Sequence, residues 1–232
     1  MTQPALPIGP FVDPDPALRP ERVTLTGRFV TLVPLEADHA DALFDAACGP
    51  GRDDLWTYMF DGPFSDRAVF AANIAQKAAS TDPLFFAIVD NGSRRVVGHA
   101  ALMRIDVVHR VIEVGNIMFG APLQRTPGAT ESMALLARYV FETLGYRRYE
   151  WKCNAMNEPS RVAAHRLGFT FEGVFRQHMI VKGRNRDTAW FSILDTEWPA
   201  CGSAFEGWLA AGNFDADGRQ RRSLAALRPS TT

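Results

Sequence analysis

Along this 232-residue chain the apolar period alternates between two and about three and a half residues, and the order of those changes is its strongest constraint on the fold. Val30 to Leu35 reads as a strand, and Asp38 is placed to cap a short helix running through Ala47. Ser65 to Ala79 carries Val69, Phe70 and Ile74 at helical spacing. Two strands follow, Leu84 to Val89 and Val96 to Leu102, joined through Asp90-Asn91-Gly92-Ser93, where Asn-Gly is a strong hairpin signal. After a third strand, Val111 to Phe119, the pattern turns helical from Ala129 to Leu144. Met133, Leu136, Val140 and Leu144 share one face there, and Gly145 is set to end the helix. A short strand, Tyr149 to Cys153, precedes a helix from Glu158 to Leu167 stopped by Gly168. Phe171 to Val181 and Asp187 to Leu194 then form a long hairpin turning at residues 182–185. Trp151, Trp190 and Phe191 are expected in the core.

Antiparallel hairpins, then strand–helix–strand–helix, then another hairpin define a mixed α/β chain. Its central strand–helix–strand unit demands one parallel, right-handed crossover inside a mostly antiparallel sheet. In such sheets ligands favour the carboxyl ends of strands beside helix N-termini.

The flanks differ from this body. Residues 1–20 hold six of the fifteen prolines, a density that forbids helix or central strand, because proline lacks the amide donor and fixes φ. They are expected to form an extended arm lying over the domain, 21–212, or over a partner chain in a homodimer. Residues 213–232 are expected to fray, with Arg219, Arg221 and Arg222 in a solvated tail.

A formal net charge of −1 provides no basic field for nucleic acid or an anionic membrane. The three cysteines, Cys48, Cys153 and Cys201, form no C-x-x-C pair. They argue against disulfides and a zinc site, so no metal is expected and a cytoplasmic location is. No signal-peptide pattern opens the chain and no apolar run is long enough to span a bilayer.

The most informative stretch is Leu123 to Glu131, which joins a strand to a helix through small residues. Thr126 suits the N-cap and Pro127 the first helical position. The amides of Gly128, Ala129 and Thr130 would then point outward beside a helix dipole, with Arg125 adding positive charge. Such a segment is either an anion cradle or an ordinary capped connection. A second stretch, Asn154 to Ser160 leading to Leu167-Gly168-Phe169, follows the next strand.

Together these segments resemble the GNAT acetyltransferase superfamily, in particular its branch that acetylates the N-termini of ribosomal proteins. The family loop Gln/Arg-x-x-Gly-x-Gly/Ala is matched in spacing at Gln124 to Ala129, with Pro127 at its central glycine. The motif Asn-x-x-Ser with Leu-Gly-Phe is matched at Asn157, Ser160 and 167–169. The resemblance covers about residues 23–196. It implies an α+β fold with a twisted, mostly antiparallel sheet of about seven strands flanked by helices, and acetyl-CoA lying in a split between the central strands. It also implies acetyl transfer to a primary amine, either a protein N-terminus or a small molecule. A catalytically weak acyl-CoA-sensing module of the same fold is the alternative. A Rossmann-type nucleotide binder is disfavoured, because G-x-G-x-x-G is absent.

By the same resemblance CoA is expected to meet Ile117, Met118, Phe119, Gln124, Arg125, Gly128, Ala129, Thr130, Asn157 and Ser160, with oxyanion donors among the amides near Asn116 to Met118. Glu113 is the first choice of carboxylate, acting through water, or else a solvent-facing strand residue. Family members often carry a tyrosine acid where this chain has Ala164, which leaves Ser160 as the hydroxyl near the thioester sulfur or as a capping residue. Trp56, Tyr58, Phe60 and Phe64 fall in the region of the acceptor wall, with a satellite core as the alternative. His178 and Asp187 are further acceptor-side candidates. An α-amine needs little base: with a pKa near 7.8 its neutral form costs about 1 kcal/mol at pH 7, against roughly 4.6 for lysine.

Overall fold

A computed structural model describes residues 8–228. Eight strands form one sheet in the order β1-β2-β3-β4-β5-β6-β8-β7. They are β1 (Leu25–Thr26), β2 (Val30–Pro34), β3 (Leu84–Asp90), β4 (Val96–Asp106), β5 (Val111–Phe119), β6 (Arg148–Asn154), β7 (Thr170–Val181) and β8 (Arg184–Leu194). Only β5 and β6 pair in parallel, and α3 (Pro127–Arg138) makes the crossover between them. The expected architecture is therefore present, with one strand more than expected: β1 is two residues long and carries no periodicity.

Alternation along the strands divides the core. On one face Phe85, Ala87, Ala101 and Met118 pack under α1 (Ala40–Ala47) and α2 (Arg67–Ala79), together with Leu43, Phe70 and Ile74. On the other, Phe86, Ile88, Leu102, Ile112 and Val114 meet Met133, Leu136 and Val140 of the α3 segment. Each large apolar side chain fully buried this way contributes about 1.5–3 kcal/mol. A carboxylate ties α3 to the sheet edge: Glu131, 5% exposed, accepts from the main-chain amides of Arg28, Phe29 and Val30 at 2.8, 2.6 and 2.9 Å.

Several local expectations need correction. Asp38 does not cap α1; Glu36 and His39 form a reciprocal capping box around a single 3-10 turn that leads into it. Asp66 caps α2 by accepting from Ala68 and Val69, so the helix starts two residues later than expected. The Asn91-Gly92 hairpin exists, but Arg94 rather than this pair takes the positive φ. Asn91 is drawn away by its amide bonds to the Gly27 and Arg28 carbonyls, and Asp90 captures Ser93. The 182–185 turn tightens to two residues, Lys182 and Gly183, with φ 50° and 72°, as a twist-matched hairpin requires. A helix unforeseen from sequence, α5 (Trp198–Leu209), buries Trp198, Cys201, Phe205 and Trp208.

The expectation that residues beyond 212 fray is corrected over 213–228. Asn213 bonds the Trp208 and Arg222 carbonyls, Leu224 of the short α6 (Leu224–Leu227) is buried, and Arg228 donates to the His165 carbonyl. Main-chain polar groups satisfied this way hold a polar segment without a large apolar face. Residues 229–232 of that expectation, and Pro4 and Pro7 of the arm, lie outside the described residues. The arm from residue 8 is extended and rests on its own domain where Ala17 and Leu18 donate to the carbonyls of Val107 and Leu144. No helix among the described residues is long and apolar enough to cross a membrane.

Candidate functional site

The parallel pairing of β5 with β6 runs only from Val111/Arg148 to Val114/Trp151, although β5 continues to Phe119 and β6 to Asn154. Past that point the strands separate. The cause is visible on β5: Asn116 takes a positive φ of 48°, and the β4–β5 register slips between His99↔Met118 and Ala101↔Gly115. This bulge turns β5 away from its neighbour. Into the gap opens a cavity of about 420 Å³, bordered by β5, β6, the N-terminal turn of α4 (Glu158–Leu167) and the 54–60 loop.

Seven of the residues expected at a site line this cavity: Tyr58, Glu113, Ile117, Phe119, Gln124, Asn157 and Ser160. Asn157 caps α4 by accepting from the Ser160 amide at 3.2 Å, so the motif asparagine does serve the helix. Ser160 accepts a hydrogen bond from the Trp151 indole at 3.0 Å. An indole N–H only donates, so the serine proton turns toward another acceptor, of which the neighbouring sulfur is one. Beside it lies Cys153, whose thiol is pushed up by burial and partly restored by its bond with Ser160. Ala164, at the position of the missing tyrosine, is wholly buried; Ala163 faces the cavity instead, one turn from Ser160.

Glu113 is neither solvent-facing nor isolated. It is 3% exposed, and Arg104 and Lys152 both contact its Oε2, Lys152 at 3.0 Å. Its Oε1 lies on the Gly115 side, where a Cβ would sit 3.3 Å from it. Lys152 is itself buried, 2.6 Å from Glu150 and 3.8 Å over the Trp190 ring. Arg148 continues the chain of charges to Glu150 at 2.7 Å and to Glu172, whose carboxyl it holds below its usual range.

Other expected site residues point elsewhere. The Met118 side chain lies in the core under α1 and α2, because strand alternation sends it to the opposite face from Ile117. Trp56 is also core: it is 1% exposed, packs edge-on against Phe64 and Phe70, and donates to the Ala47 carbonyl. Of the four aromatics near the expected acceptor wall, only Tyr58 and Phe60 line the cavity. His178 bonds the Thr188 hydroxyl at 3.0 Å in an exposed groove with Phe175, and Asp187 accepts from Gln177 and Asn185. Neither borders the cavity.

At the start of α3, Thr126 caps the helix by accepting from the Ala129 amide at 3.3 Å. Gly128 is packed so closely that a Cβ would lie 2.7 Å from Val30 Cγ1, and the Thr130 hydroxyl takes a bond from Arg166. Those two side-chain positions serve packing. Among the described residues, however, the amides of Arg125 and Gly128 find no acceptor. Gln124 turns its own amide back to the Phe119 carbonyl at 2.8 Å, tying the loop to the end of β5.

Sequence reasoning missed Arg104, Lys152 and Arg186, which also line the cavity. A signal existed for one of them: Arg148, Glu150 and Lys152 alternate along β6 and so share one face, the face of Glu113.

Comparison with known proteins agrees with this geometry. The acetyltransferase (GNAT) domain profile matches residues 30–170. A GCN5-related N-acetyltransferase from Brucella melitensis superposes with a TM-score of 0.91 at 51% identity, over 92% of this chain and 97% of that one. A Chromobacterium violaceum ATCC 12472 protein named a probable acetyltransferase of the GNAT family gives 0.77 at 38% identity, over 86% and 100%. The Bacillus subtilis (strain 168) protein YdaF, provisionally named a ribosomal N-acetyltransferase, is 26% identical over 146 residues, 62% of this chain and 78% of that protein. With the split sheet, the capped α3 loop and the Asn157–Ser160 turn in place, these similarities make the chain a member of the GNAT family and an acetyltransferase.

Proposed function

We propose that the enzyme moves an acetyl group from acetyl-CoA to an α-amine by direct attack, with both reactants meeting in the gap between β5 and β6. The observation that carries this reading is the separation of those strands past Val114/Trp151, which exposes main-chain groups of the Asn116 bulge to a 420 Å³ cavity. The acceptor-free amides of Arg125 and Gly128 and the α3 dipole suit the CoA diphosphate. Pro127 supplies no donor there.

When bound, acetyl-CoA supplies a thioester carbon; the acceptor nitrogen bonds to it, the carbon–sulfur bond breaks, and one proton passes overall from nitrogen to the departing thiol. Amides of 116–118 at the bulge face the acetyl oxygen and stabilise charge that develops on it. The Ser160 hydroxyl donates a hydrogen bond to the departing sulfur, which needs no strong acid because a thiol near pKa 8.5 leaves readily and takes its proton through the water relay. Glu113 Oε1 holds the water that takes the amine's proton, while Arg104 and Lys152 fix the carboxylate through Oε2. Tyr58 and Phe60 form the acceptor wall. An α-amine, rather than lysine, fits a site whose carboxylate is already committed on one oxygen. The name given to YdaF supports a peptide N-terminus as one form of that amine. Three buried, unpaired cysteines suit a reducing cytoplasm.

Thiol release from acetyl-CoA over a panel of α-amines and lysine-type amines tests this, alongside calorimetry with CoA. Turnover favouring α-amines is expected. Tight CoA binding with no release on any amine would instead favour a sensor, and no CoA binding would remove the cofactor assignment.

A further inference from the structure

Most charge around the cavity is balanced. Arg104, Lys152 and Arg148 alternate with Glu113, Glu150 and Glu172 in one connected network of three cations and three carboxylates. Arg186 stands outside it. On β8, where it pairs with Met179 of β7, it lies two residues beyond the Asn154↔Thr188 pair at which β6 ends, so on the β6 side it borders the mouth of the gap. It is only 7% exposed and lines the same cavity as Glu113, Asn154 and Phe60. Among the described residues its guanidinium has no salt bridge or hydrogen bond, and its Nε is enclosed without an acceptor. The Phe60 ring lies 5.0 Å from the guanidinium carbon.

Burial opposes the charge on this group most strongly, Cys153 and Glu113 favour it, and Arg104 opposes it. Guanidinium does not lose its proton in proteins, so it stays cationic and carries five donors in a planar fork. A fork of that kind, desolvated and aimed into a cavity, matches a carboxylate bidentately. Glu113, whose Oε2 meets Arg104 and Lys152, lines the same cavity with its Oε1 on the Gly115 side. The two ends thus present opposite polarity to one occupant.

We propose that Arg186 binds a carboxylate on the acceptor, so that the substrate is a primary amine carrying its own acidic group: ammonium end toward Glu113, carboxylate end toward Arg186. This rests on the acceptor entering the β5–β6 gap as described above. A free α-amino acid and a peptide with an acidic first residue share that chemistry.

The test measures thiol release with free L-amino acids against their α-carboxamides. A parallel arm uses C-terminally amidated tetrapeptides beginning with Asp or Ser, which separates the two sources. In the unmodified enzyme at least one acid–neutral pair should differ in kcat/KM by about tenfold or more in favour of the acid. Arg186→Gln should abolish that preference while holding the neutral acceptor within about threefold, and Arg186→Lys should keep part of it. Equal rates on acid and neutral partners in both arms, or a preference that survives in Arg186→Gln, would overturn the proposal. If Arg186→Gln does not fold, the acid–neutral comparison in the unmodified enzyme decides. Thermal shift with N-acetylglycine and N-acetylglycinamide separates the two readings. An upshift by the acid alone, lost in Arg186→Gln, with no turnover on any amine, keeps the anion subsite and removes the transfer assignment. Turnover indifferent to the carboxylate does the reverse.

Discussion

His99 makes stability depend on pH in a window where no other perturbed group intervenes. Its ring is fully buried on β4, edge-on to Phe85 at 5.6 Å, and neither nitrogen makes a hydrogen bond. Burial holds its pKa well below 6.5; the Lys77 ammonium, itself 2.6 Å from Asp61, pushes the same way, and the nearby Asn116 main chain opposes both. A depressed folded pKa means that the unfolded chain binds the proton first. Stability is therefore complete above the unfolded value of 6.5 and is lost as pH falls from there toward the folded value. One proton gives a limiting slope of about 1.4 kcal/mol per pH unit, or at most about 2 kcal/mol between pH 7 and 5. The carboxyls lowered by their partners, such as Glu172 and Asp187, lose their contributions only at lower pH, since their unfolded values lie near 4. Denaturant unfolding at half-unit steps from pH 7.5 to 5, on the unmodified protein and on His99→Leu, isolates the effect. The unmodified protein should lose stability on this slope while the variant stays flat. Parallel curves for the two would refute the assignment, whatever their absolute stabilities.

Three further outcomes follow from contacts already described. Glu131→Ala strips the acceptor from three adjacent main-chain donors and should cost about 3 kcal/mol by chemical denaturation, with Glu131→Gln recovering part of it. A loss under 1 kcal/mol would mean that water replaces the carboxylate. Ser160→Ala should lower kcat by roughly tenfold while CoA affinity stays within a few-fold, since it removes one neutral hydrogen bond to the sulfur; unchanged kcat with weakened CoA binding would assign the serine to capping. Glu113→Gln should depress turnover of lysine-type amines more than that of α-amines, because only the former need strong deprotonation. Equal losses on both would count against the relay and for a role in holding Lys152 and Arg104.

Much of the scaffold was legible because it depends on local chemistry. Apolar alternation marked seven strands, Gly168 ended α4 in its left-handed conformation, and Thr126-Pro127 began α3 as the residue types demand. The element that escaped, β1, is too short to show a period, whereas α5 has helical spacing at Trp198, Cys201, Phe205 and Trp208 that was legible and unread. Ser160 and Asn157 were found because a short motif carries both the helix cap and the cavity-facing hydroxyl.

What lay beyond the sequence was pairing across long separations. Nothing near Glu113 announces that its carboxylate meets Arg104 from β4 and Lys152 from β6, or that Trp56 turns inward while Tyr58 turns to the cavity. Nothing near Arg186 announces that, of the three cations lining the cavity, it is the one without a salt bridge among the described residues. Period, caps and turn residues belong to a few neighbours along the chain, so the amino-acid order suffices to set helices, strands and the single crossover between β5 and β6. Which charges neutralise one another, and which remains free to hold a substrate, depends on sheet order and on the Asn116 bulge that parts two strands; those arise only when residues far apart in the chain pack together.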